Sequence, residues 1–139
     1  MIKDEALAFL MRHQPMPADT DLTQDLIDSY DEVRKYFETY SDSCAIELFL
    51  GSFGDGDGWG VYQLVEGLFY KCPRSDVVAA LKKVLEDECI PESIRYWSTQ
   101  TAAAFADEDL RKGLNKSLNS RSIDVREAAE LAIEMLDTN

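Results

Sequence analysis

Apolar residues recur along this 139-residue chain with the spacing of α-helices, and the pattern itself repeats about every 31–33 residues. Segments that begin at Val61, Ile94 and Val125 carry apolar or small residues near offsets of 0, 3, 7, 8 and 11. Steps of 3, 4 and 7 lie on one face of a helix. The third copy fits best, whereas the first has Cys72 at offset 11 and the second Thr101 at offset 7. A repeat of this length is typical of helix pairs that stack into a solenoid.

The same periodicity predicts about eight helices and no strand. One long helix has the most regular apolar stripe and runs to Tyr40. Asp19 or Thr20 is expected to cap it, because such side chains accept hydrogen bonds from the free amides of the first turn. The other predicted helices are 2–13, 43–50, 59–71, 75–87, 92–105, 108–119 and 123–137. We therefore expect a single all-α domain over 1–139, a right-handed α-solenoid in which 1–42 caps three helix pairs in 43–137.

The second helices of the later pairs open with one signature. They read Ile94-Arg95 and Val125-Arg126, and both continue into small alanines. In these features the chain resembles HEAT repeats of the phycobilisome-lyase type over residues 43–137; the first copy departs from them, with Tyr62 where Arg95 and Arg126 stand. The resemblance implies a scaffold that binds other proteins, and it transfers no catalytic residue.

Charge is distributed unevenly. The formal net charge is −13, and residues 1–70 hold 14 acids against 4 bases. Between Lys35 and Lys71 there is no basic residue. Such a surface repels nucleic acid and anionic membranes and attracts a basic protein, although acidity for solubility alone is an open alternative. The three cysteines lack metal or disulfide spacing, and no apolar run is long enough for a membrane span, so we expect a cytoplasmic protein that is monomeric when free.

A glycine-rich loop, residues 51–60, interrupts the first pair. From Asp55 it partly matches a calcium-binding loop, with Asp57 at the third position and Glu66 at the twelfth, but Trp59 occupies a ligand position and supplies no oxygen. Alternatively, the loop is a flexible connection with Asp57 or Gly58 as a helix cap. We favour a third interpretation, a mobile acidic loop with a tryptophan at its tip that contacts a partner.

Enzymatic signatures are sparse. His13 is the only histidine, and a phosphate-binding loop is excluded by the aspartates and the lack of a Gly-Lys-Ser/Thr motif. We therefore expect no enzymatic activity, no catalytic residue, no cofactor and no metal.

The aromatic residues favour a binding surface. Tyr62 and Tyr96 stand just off the apolar stripe, beside Trp59 and Trp97, of which Trp97 is expected in the core. The predicted partner-binding residues are Asp55, Asp57, Trp59, Tyr62, Glu66 and Tyr96. Small acidic helical proteins of this kind resemble immunity proteins of bacterial toxin systems, which implies a basic toxin nuclease as partner. The alternative is a HEAT-like scaffold, or a lyase- or chaperone-type protein acting on another protein.

Overall fold

Helices form the secondary structure of the chain. The computed structural model describes residues 1–138, in which eight α-helices and short 3₁₀ turns occur and no strand is found, so the all-α prediction is confirmed. The α-helices are α1 (Lys3–Arg12), α2 (Gln24–Thr39), α3 (Cys44–Leu50), α4 (Glu66–Phe69), α5 (Arg74–Glu86), α6 (Glu92–Ala104), α7 (Arg111–Leu118) and α8 (Ile123–Asp137). None of the described helices is long and apolar enough to cross a membrane.

The helices fall into two compact units, Met1–Pro73 and Arg74–Asn139. In the first unit, α1 packs on α2 and α3, and α2 packs on α4. Its core is a cluster of aromatic rings in edge-on contact, built from Tyr30, Phe37, Phe49, Phe53 and Tyr62. Each of these side chains is at most 1% exposed, and edge-on ring pairs add to the stabilisation from buried area alone.

The beginning of α2 differs from the sequence prediction. Thr23 is its N-cap, with the side-chain oxygen accepting a hydrogen bond from the amide of Leu26 at 3.2 Å. Leu22 fits the apolar period and is buried, but it lies before the helix in extended backbone. The prediction of Asp19 or Thr20 as cap was therefore wrong, because the apolar stripe begins at Leu22, which precedes the N-cap of the helix. Asp19 instead forms hydrogen bonds with the glycine-rich loop.

In the second unit, α5 contacts α6 and α7, and α8 contacts α6 and α7, the α6–α8 contact being the most extensive. A smaller contact joins α6 and α7, so the four helices form one packed group. Gly113 on α7 permits a close approach to α5, since a Cβ atom at this position would lie 2.5 Å from the Leu85 Cβ. A solenoid running through all three repeats, and a single domain over 1–139, stay predictions.

The arginines of the repeat signature have a common structural role. Arg95 is 9% exposed and donates from Nη1 to the Leu85 carbonyl at 3.2 Å and from Nη2 to the Asp87 carbonyl at 2.7 Å. Arg126 donates in the same way to the Ser120 carbonyl at 2.9 Å. Both side chains therefore satisfy carbonyl groups where the preceding helix ends, and this explains why the signature recurs at the start of α6 and α8.

Candidate functional site

Where the sequence predicts one helix over 59–71, the first unit has a turn-rich segment. Two 3₁₀ turns, Gly58–Gly60 and Tyr62–Leu64, precede the one-turn helix α4. The helix prediction was wrong here because the backbone around Trp59 is left-handed, with φ of 52° at Trp59 and 90° at Gly60. A regular helix cannot pass through two such residues. The apolar spacing is correct in part: of the predicted stripe, Leu68 and Phe69 are buried, whereas Val61 is half-buried and Leu64 is 46% exposed.

Asp19 anchors the glycine-rich loop. Its carboxylate accepts hydrogen bonds from the backbone amides of Asp57 at 3.1 Å and Gly58 at 2.9 Å. Its own amide donates to the Asp55 carbonyl at 2.9 Å. The loop therefore wraps a carboxylate with its N–H groups, as backbone nests wrap anions. Neither the flexible connection nor the mobile loop of the sequence interpretations included this contact: the loop is tied to a residue 38 positions earlier, and no local signal in the sequence pointed to Asp19.

Trp59 is presented by this anchored loop. The side chain is 47% exposed, yet its indole Nε1 donates to the Asp19 carbonyl at 3.2 Å. Left-handed backbone costs a residue with a side chain about 1–2 kcal/mol, so the rest of the loop must hold Trp59 in this conformation. Gly58 is required beside it: φ is 59°, and a Cβ atom there would lie 2.5 Å from the Tyr62 ring.

Tyr62 does not lie on the surface. It is 1% exposed, its ring packs on Tyr30 and Phe53 with centroids 5.5 and 5.4 Å away, and its hydroxyl accepts from the Gly54 amide at 3.3 Å. Burial, reinforced by the negative charge of Asp19 and its neighbours, raises the pKa of the Tyr62 hydroxyl to about 12. Because Tyr62 fills the first unit's core, the prediction that it is a partner-binding residue on the surface was wrong. It instead supports the loop from the core, through its hydrogen bond with Gly54.

Within the described residues, the acidic side chains around the loop form no ion pair. Asp55 and Asp57 are exposed, and Asp19 and Asp21 complete what we call the loop cluster, defined as Asp19, Asp21, Asp55 and Asp57. The basic side chains of residues 1–70 that form ion pairs in the described structure do so elsewhere: Lys3 with Asp42, Arg34 with Asp31 and Glu38, and Lys35 with Asp31. None of these ion pairs neutralises the loop cluster.

The two remaining predicted residues lie apart from this loop in the chain. Glu66 is half-buried on α4 and accepts a hydrogen bond from the Tyr70 hydroxyl at 3.2 Å. Tyr96 belongs to the second unit, where it is half-buried and its hydroxyl accepts from the Gln100 amide at 2.8 Å. Its ring contacts that of Trp97 at a centroid distance of 5.1 Å, and Trp97, expected in the core, is also half-buried.

The loop geometry also differs from that of a calcium-binding loop. Calcium requires six to eight oxygen ligands, whereas this loop turns the amides of Asp57 and Gly58 toward Asp19. In the described part of the chain, no three His, Cys, Asp or Glu side chains are grouped so that they could hold a metal ion.

Comparison with protein-family models, curated proteins and solved structures finds no match to this chain.

Proposed function

We propose that this chain is a non-catalytic protein-binding module, and specifically an immunity protein that neutralises a basic toxin nuclease by covering its active site. The observation that carries the proposal is the half-exposed Trp59, fixed by Asp19 beside the unneutralised loop cluster. Large aromatic side chains supply much of the binding energy in protein interfaces. Carboxylates around such an anchor can occupy the positions that phosphates take in a nuclease cleft.

The anchored loop supports tight binding for a second reason. Ordering a flexible loop on association costs free energy, and this cost is smaller where the loop is already held. Asp19 holds the backbone at Asp57 and Gly58 before any partner arrives. The exposed carboxylates of Asp55 and Asp57 would accelerate the encounter with a basic surface, and Trp59 would slow dissociation once docked.

The experiment is capture of the partner from the source cell with the full chain as bait, followed by binding kinetics over a series of salt concentrations. Asp55→Asn/Asp57→Asn should lower the association rate and flatten its salt dependence. The matched control, Asp4→Asn/Glu5→Gln, removes the same charge from α1. Trp59→Ala should raise the dissociation rate by about thirtyfold, which corresponds to about 2 kcal/mol.

An acidic partner, or an affinity that responds neither to salt nor to these substitutions, would show that substrate mimicry is wrong. Equal effects of the loop variant and the α1 control would show that net charge, and not the loop cluster, attracts the partner.

A further inference from the structure

A groove runs along the surface of the second unit between α6 and α8. It has a volume of about 190 Å³, and it is lined by Tyr96, Gln100, Asp124, Glu127, Ala128 and Leu131. Small side chains let α6 and α8 pack closely below the groove. These are the alanines of α8 that are at most 5% exposed, Ala128, Ala129 and Ala132. The groove thus lies on the helix pair that has the most extensive contact in this unit.

Apolar side chains are exposed along the same helix. Leu131, in the groove, is 47% exposed, and Met135, one helical turn further on, is 42% exposed. Ile123, two turns before Leu131, is 59% exposed. Residues four apart lie on one face of a helix, and on this face Glu127 separates Ile123 from Leu131. Leu131 and Met135 are therefore the adjacent exposed apolar groups, and exposed apolar surface of this kind can mark an interaction site.

The charges at the groove define its occupant. Asp124 and Glu127 are exposed, and none of the described basic side chains pairs with either of them. The nearest basic residue in sequence, Arg126, is engaged with the Ser120 carbonyl at 2.9 Å. A second copy of α8 would bring like charges together, since Glu130 and Glu134 add to the acidic surface. Complementarity therefore favours a cation with an apolar stem.

From these observations we propose that the groove between α6 and α8 is a docking surface for a lysine- or arginine-bearing segment of a protein partner. The aliphatic stem of the basic side chain packs on Ala128 and Leu131, and its charged end lies between the carboxylates of Asp124 and Glu127. Tyr96, whose hydroxyl is held by Gln100, offers its ring to the cation. An apolar neighbour in the segment covers Met135. The inference rests on the proposed function only in taking the partner to be a basic protein.

The test uses the full chain and a synthetic peptide of alternating lysine and leucine as probe, followed by amide chemical shifts. We expect saturable shifts at α6 and α8. Asp124→Asn/Glu127→Gln should weaken binding at least about fivefold, and Leu131→Ala severalfold. Asp25→Asn/Glu32→Gln, which removes the same two charges from α2, should change the affinity by less than about twofold. Thermal melts establish that each variant is folded.

Several outcomes would overturn the proposal: an absence of saturable shifts, shifts that map to α2 or the loop cluster, or equal losses in the two double variants. A glutamate-for-lysine version of the probe that binds equally well would also refute it. These results are separable from a failure of the proposed function, since that proposal depends on Asp55, Asp57 and Trp59. A captured partner that responds to those residues and ignores Glu127→Gln would leave the proposed function standing and exclude the groove.

Discussion

Replacing Asp19 by alanine should release the glycine-rich loop. The change removes an ionised acceptor from two backbone amides, those of Asp57 at 3.1 Å and Gly58 at 2.9 Å. Hydrogen bonds to charged groups contribute about 1.5–3 kcal/mol each where they are shielded from water and less where they are exposed. The Gly58 amide is part-buried and the Asp57 amide is exposed, so we expect a loss of about 2 kcal/mol in the free energy of unfolding.

Urea denaturation measures this loss, which for an m-value of about 2 kcal/mol/M is a midpoint shift of about 1 M. Amide hydrogen exchange locates it, because exchange at Gly58 should accelerate by about thirtyfold while amides of the second unit are unchanged. Asp21→Ala is the matched control, since Asp21 is exposed in the same turn and its replacement removes the same charge. If Asp19→Ala and Asp21→Ala have equal stability and equal exchange at Gly58, Asp19 does not anchor the loop.

Further substitutions test the fold. Arg95→Met should lower the free energy of unfolding by about 3 kcal/mol, because it removes the donor from the Leu85 and Asp87 carbonyls at the end of α5. Arg126→Met, which loses one part-buried bond, should cost about 1 kcal/mol in urea denaturation. Ser98→Ala should raise the melting temperature, since the Ser98 hydroxyl is 0% exposed and has no hydrogen-bond partner in the described structure. Hydrogen bonds from Cys44 and then Lys3 hold the pKa of Asp42 well below its usual range. The stability that this shift contributes is present above about pH 4 and is lost as the pH falls toward the depressed pKa. In acid melts, wild type should therefore lose more stability than Asp42→Asn.

Local periodicity was sufficient to predict most helices, because each buried stripe is a property of its own segment. Tyr30, Val33 and Phe37 on α2 and Val125, Ala129 and Ala132 on α8 are all buried at positions that the helical period assigns to one face. Where the period continued into non-helical backbone it misled, as at Leu22 before α2. Apolar spacing reports which side chains meet the core, and extended or left-handed residues can satisfy the same requirement.

The candidate site was less predictable because its geometry depends on contacts between distant residues. The sequence around Asp55, Asp57 and Trp59 left open a calcium loop, a flexible connection and the favoured mobile loop that contacts a partner. The loop conformation, however, depends on Asp19, and nothing in the sequence near residue 55 indicates that contact. Tyr62 shows the same limitation: its offset placed it beside an apolar stripe, while rings from α2 and the loop enclose it.

Trp59 combines an unfavourable left-handed backbone with a half-exposed side chain that is held in place. A left-handed tryptophan is unfavourable by itself, and an exposed tryptophan gains little from burial in the free protein. The loop could avoid both costs with glycine at this position, as it does at Gly56, Gly58 and Gly60. The indole already gains a hydrogen bond from Nε1 to the Asp19 carbonyl, and a partner surface that covered the exposed half of the ring would add the free energy of its burial. The conformation and partial exposure of Trp59 are therefore the observations that support the proposed contact surface.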